Sequence, residues 1–248
     1  TIAMDDHIQA VITIIGMTCD VMGGLYLAYD LLGGENGPLA RLTKIVNYSV
    51  LLVLLFLTTM GFKFALIVGL SFGTALGLHF DRAGKGIPDT NKFLLATAIL
   101  RGVAIAAAVW IKENHVLGLV MGVLVFIMSM VLPRLKVSPT QLYNTGKKPQ
   151  LTWRQVVIAF ILMGVAISSG LIGASIAHGD ARTIGFVIKF GLTFGFAIFV
   201  TSIISPVIEW YSDNLPPQSF GTAGVALFII GFVIQSIPSF ATIFDMTK

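Results

Sequence analysis

The chain has 248 residues, 56% hydrophobic and 11% charged, with a formal charge of +4 and a mean hydropathy of +0.90. A soluble domain carries about 25% charged residues, so a water-soluble fold would expose more apolar surface than water tolerates. The Lys and Arg excess falls in loops suited to anionic head groups rather than on a basic face interleaved with aromatics, so nucleic acid is not an expected partner.

Crossing a bilayer core of about 30 Å takes roughly 20 apolar residues at about 1.5 Å each. Inside lipid, the backbone satisfies its own hydrogen bonds only as a helix or a closed barrel. The apolar runs therefore predict an all-α polytopic transmembrane bundle of about eight spans, forming one integral membrane domain over 1–248.

The first span is expected over 8–32. The preceding Thr-Ile-Ala-Met-Asp-Asp-His has no basic n-region, so this span should act as its own insertion signal. It holds Cys19, the sole cysteine, which excludes an intramolecular disulfide and reads as a small buried hydrophobe. The second span (45–60) is bulky throughout and reads as a lipid-facing outer helix. Gly61-Phe62-Lys63 joins it to the third (64–80), predicting a tight hairpin, with a re-entrant pair as the alternative. The fourth (93–111) and fifth (116–132) form a second hairpin around Lys112-Glu113-Asn114. Pro133, Pro139 and Pro149 frame the longest polar loop. The sixth (156–177) and seventh (184–208) follow, and Pro216-Pro217 breaks the chain before the eighth (220–244).

Loop charge gives these spans a direction. Arg41 and Lys44, then Arg82, Lys85 and Lys92, then Arg134, Lys136, Lys147, Lys148 and Arg154 fall in loops one, three and five. Loops two, four and six carry only Lys63, Lys112 and Arg182. The positive-inside rule places the first set in the cytoplasm, with both termini outside, in a bacterial-type inner or plasma membrane.

Small residues mark packing faces. Gly69, Gly73 and Gly77, preceded by Ala65, share one face of span three, and Gly191 and Gly195 share a face of span seven. Ser169, Gly173 and Ala177 do the same on span six. Such faces let backbones approach closely, within the chain, in a homo-oligomer or against other membrane subunits.

A charge at the bilayer centre costs about 2.5–3.5 kcal/mol on insertion scales, so a buried ionisable residue needs a partner or a purpose. Asp20, Arg101 and Lys189 qualify. Helical rise puts Asp20 about 18 Å and Arg101 about 15 Å from the outer surface, which predicts that they interact. Lys189 lies only about 8–10 Å deep and can snorkel. It has no carboxylate four residues earlier, so a retinal Schiff base is not expected. Gln235 and Pro238, with Ser236 and Ser239, make a polar, kinkable stretch of span eight, and Pro206 does so in span seven.

His7, His115 and His178 fall at outer span ends beside Asp5, Asp6, Glu113 and Asp180, a weak divalent-metal candidate without His-x-x-x-His spacing. His79, with Asp81 and Arg82, reads as an interfacial residue at an inner end. Tyr26, Tyr29, Trp110, Trp153 and Trp210 read as an aromatic belt. No Walker, dinucleotide, zincin or nucleophile-elbow motif is present, so no catalytic residue and no cofactor beyond bound lipid is expected. Two functions fit: a small transporter or channel-like protein using an intramembrane Asp/Arg site, or a non-catalytic accessory subunit of a larger membrane complex.

Overall fold

A computed structural model describes residues 6–34, 37–131, 153–176, 180–214 and 219–246. Among them stand eight helices and no strand: α1 (Asp6–Leu31), α2 (Ala40–Met60), α3 (Phe62–Gly84), α4 (Asn91–Lys112), α5 (His115–Val131), α6 (Trp153–Ile176), α7 (Ala181–Asn214) and α8 (Ser219–Met246). Six of these, α1 to α4, α7 and α8, are long and apolar enough to cross a membrane. The apolar segments in α5 (His115–Val131) and α6 (Met163–Ile176) are shorter.

Helices α2, α3 and α4 extend beyond the expected apolar runs. Arg41 and Lys44 lie within α2, Arg82 within α3 and Lys92 within α4. A helix satisfies its own backbone whatever its side chains, so it can run past the apolar stretch into charged residues at either end.

Local chemistry sets the helix ends. One residue, Gly61, separates α2 from α3, and its φ of +85° is open to glycine but strained for other residues. Helix α3 ends in a Schellman motif: the Ile87 N–H donates to Arg82 O (2.9 Å) and the Gly86 N–H to Ala83 O (3.0 Å), with Gly86 at φ +64°. Side-chain oxygens cap three helix starts. Thr90 accepts from the Phe93 N–H (3.3 Å), Asn114 from Leu117 (2.8 Å) and Asp180 from Thr183 (2.9 Å).

The chain divides into two compact units, residues 1–43 with 215–248, and 44–214. The terminal unit pairs α1 with α8 antiparallel through matched glycines. A methyl group added at Gly23 would lie 2.7 Å from Gly224 O, and one at Gly224 would lie 2.7 Å from Gly23 O. Gly16 and Gly231 mirror this, at 2.8 and 2.7 Å. Tyr26 and Tyr29 were expected in an aromatic belt. Both pack edge-on against Phe220, with centroids 5.6 and 5.1 Å away, and Tyr29 is buried.

The central unit is a run of helix pairs. Gly69, Gly73 and Gly77 of α3 lie against Val53, Ser49 and Ile45 of α2. Helix α2 therefore does not simply face lipid, as its bulk suggested. Tyr48, Ser49, Leu52, Phe56 and Met60 are buried, because a glycine groove on one helix requires a bulky ridge on its neighbour. Gly102 and Gly122 join α4 to α5, and Gly173 lies against Leu117 and Val120 of α5. Gly191 and Gly195 of α7 lie against Ile167 and Met163 of α6. Helix α7 also presents Phe186, Phe190 and Phe194, spaced by four, to Phe64 and Phe72 of α3, with centroids 5.6–6.3 Å apart.

Candidate functional site

Asp20 lies on the glycine stripe of α1, between Gly16 and Gly23. Positions i, i+4 and i+7 share one helix face. Its Oδ2 accepts a hydrogen bond from the Gln235 side-chain amide of α8. Its Oδ1 is buried, has no hydrogen-bond partner and sits against Gly231. The absence of a side chain at Gly231 is what makes room for it. A buried carboxylate oxygen without a donor carries a desolvation cost that nothing nearby offsets. A second carboxylate, Asp30, lies further along the seam, with its Oδ2 2.6 Å from where a methyl group on Gly221 would be.

Arg101 belongs to the central unit, where its guanidinium lies 5.9 Å from the centroid of the Phe72 ring. Asp20 and Arg101 thus fall in different units, and each has a neighbour within its own. Lys189 is exposed on α7. Pro238 lies inside α8, and Ser236 Oγ donates to Phe232 O (2.7 Å).

Sequence reasoning passed over two features. The first is the α1–α8 seam. Its glycines recur at a spacing of seven, Gly16 and Gly23 against Gly224 and Gly231, a fainter pattern in sequence than a spacing of four. The second is a polar cluster around His79, which is 5% exposed. The turn after α3 folds Asp89 back onto it, and His79 Nδ1–H donates to Asp89 Oδ2 (2.8 Å). Arg82 Nε lies 3.3 Å from Asp89 Oδ1, and Arg82 also donates to Pro88 O (2.5 Å). Phe93 stacks edge-on against His79 and under the Arg82 guanidinium. Asp81, 3% exposed, accepts from Lys85 Nζ (2.6 Å).

Burial pushes the Asp89 carboxyl up. The hydrogen bond from His79 and the charges of His79 and Arg82 outweigh that and hold it below the usual carboxylate range. Thr97 Oγ1 lies 3.5 Å from His79 Nε2, so hydroxyl, imidazole and carboxylate follow one another as in nucleophilic hydrolases. Thr97 is only 4% exposed, however, and its hydroxyl bonds to the carbonyls of Phe93 (3.0 Å) and Leu94 (3.1 Å). A hydroxyl committed to its own helix is poorly presented as a nucleophile. The cluster therefore reads as a clamp on the α3–α4 turn.

Of the weak metal candidates, His178 and the side chain of His7 lie outside the described residues. His115 is exposed and lies 6.4 Å from the Trp110 ring. Among the described residues, no three His, Cys, Asp or Glu side chains are grouped to hold a metal. At the start of α7, the Thr183 backbone N–H holds the Asp180 carboxyl below its usual range.

Six helices long and apolar enough to cross a membrane mark a membrane-integral helical protein. No family model, no curated protein and no solved structure matches this chain.

Proposed function

We propose that the protein is a small transporter that moves a proton or small cation across a membrane, with Asp20 as the exchanging carboxylate. The observation that carries this reading is the asymmetry of Asp20, with one oxygen held by Gln235 and the other buried and unpartnered. Intramembrane carboxylates are costly and mark ion and proton pathways. A proton or dehydrated cation on Oδ1 would offset the missing donor. Gln235 would hold the carboxyl in one rotamer, as a positioning residue. Glycine pairs on either side of Asp20 would allow α1 and α8 to shift against each other without repacking bulky side chains. The basic loops would face the cytoplasm of a bacterial-type inner or plasma membrane.

The test is flux in proteoliposomes loaded with a pH-sensitive dye, under an imposed proton or cation gradient. Wild-type protein should dissipate the gradient. Asp20→Asn, which preserves shape and the contact with Gln235, should not. Gln235→Ala should slow flux without abolishing it. Equal flux in Asp20→Asn, at equal reconstitution, would overturn the assignment. Absence of flux in the wild type, together with a defined membrane partner copurifying from the native source, would favour the accessory-subunit reading.

A further inference from the structure

At one end of the central unit, the α2–α3 turn and the last turn of α4 enclose a recess of about 270 Å³ that carries two ammonium groups. Lys63 is exposed and has no polar partner among the described residues. Lys112 donates to Met60 O and lies 5.8 Å from the Phe186 ring centroid, which leaves N–H groups free for another acceptor. The neighbouring carboxylate, Glu113, is turned toward Thr183 Oγ1 (3.5 Å). The remaining wall is apolar, with Phe62 and Ile111 58% and 59% exposed.

We infer that this recess binds the phosphodiester of an anionic phospholipid, with Lys63 and Lys112 on the phosphate and Phe62 and Ile111 along the first acyl methylenes. Three features select that occupant. The recess sits where candidate spans end, which is the depth of a head group. Its charge is purely cationic, since Glu113 faces away. Its apolar wall adjoins the ammonium groups, matching an amphiphile rather than a free anion. Gly61, at a φ of +85°, makes the tight turn that sets Lys63 beside the last turn of α4 in the same recess.

The inference is independent of whether Asp20 transports anything. The test uses the full chain in phosphatidylcholine nanodiscs titrated with phosphatidylglycerol, with retained lipid counted by native mass spectrometry. Wild type should retain phosphatidylglycerol selectively. Lys63→Gln and Lys112→Gln should each weaken retention roughly fivefold. Lys63→Arg should largely preserve it, and Lys92→Gln, on a different turn of the unit, should not change it. Lys112→Gln can disturb the fold by losing Met60, so Lys63→Gln, which removes no contact, decides the matter. Unchanged selectivity in Lys63→Gln would overturn the inference. So would an equal loss in Lys92→Gln, which would indicate diffuse charge, or full displacement by inorganic phosphate, which would indicate a free-anion site.

Discussion

Two adjacent glycines in α1 meet opposite surroundings. Gly23 faces the Gly224 carbonyl at a distance that leaves no room for a methyl group, whereas nothing lies within 4 Å of one at Gly24. Gly23→Ala should therefore destabilise the protein by about 1–3 kcal/mol through overpacking. Gly24→Ala should be neutral or stabilising by up to about 1 kcal/mol, because alanine is the better helix former. Thermal unfolding in detergent checks both, and equal shifts would contradict the seam. At the other polar cluster, Asp89→Asn leaves His79 and Arg82 without their counter-charge and should cost about 1–2 kcal/mol at neutral pH. The folded-state pKa of Asp89 is lowered, so its contribution is full above the ordinary carboxylate value of 3.8 and is lost as pH falls through the lowered one. The melting temperature of the wild type should fall more steeply than that of Asp89→Asn on acidification below about pH 4.

At the scale of elements, the turn chemistry yields its own prediction. Gly86 closes the Schellman motif at a φ of +64°, so Gly86→Ala should cost about 1 kcal/mol and fray the end of α3, visible as faster amide exchange at Ile87. The helices themselves were legible in the sequence, because a long apolar run has few alternatives to helix. The Gly61 hairpin and the glycine face of α3 were also legible, since both depend on spacing within one segment. The role of α2 was not. A helix of bulky residues looks alike whether its neighbour is lipid or a glycine groove, because both are apolar. The His79 cluster was not legible for a related reason: its partner Asp89 reaches it only through the fold of a turn whose path the sequence does not spell out. Asp20 was legible as a candidate because a charge within an apolar run stands out. Its contact with Gln235 depends on which helices pair, and hydropathy carries no information about that.

The whole molecule pairs its first described helix with its last. Asp20 and Gln235 are 215 residues apart, and the described seam of α1 is made with α8. Removing residues 215–248 should thus leave α1 without its glycine partner and its carboxylate without the Gln235 amide. The truncated chain should be cleared faster than the full chain in a pulse-chase measurement, and restoring α8 as a separate peptide should slow that clearance. Persistence of the truncated chain at wild-type levels would mean that α1 is held in some other way. The pairing also has a consequence in time. At about 5–20 residues per second, α1 is made roughly 10–40 s before the helix that completes it. For that interval a newborn protein carries an ionisable group in the bilayer with its amide partner still unsynthesised. The seam is thus a late assembly step, closed only once α8 has been made.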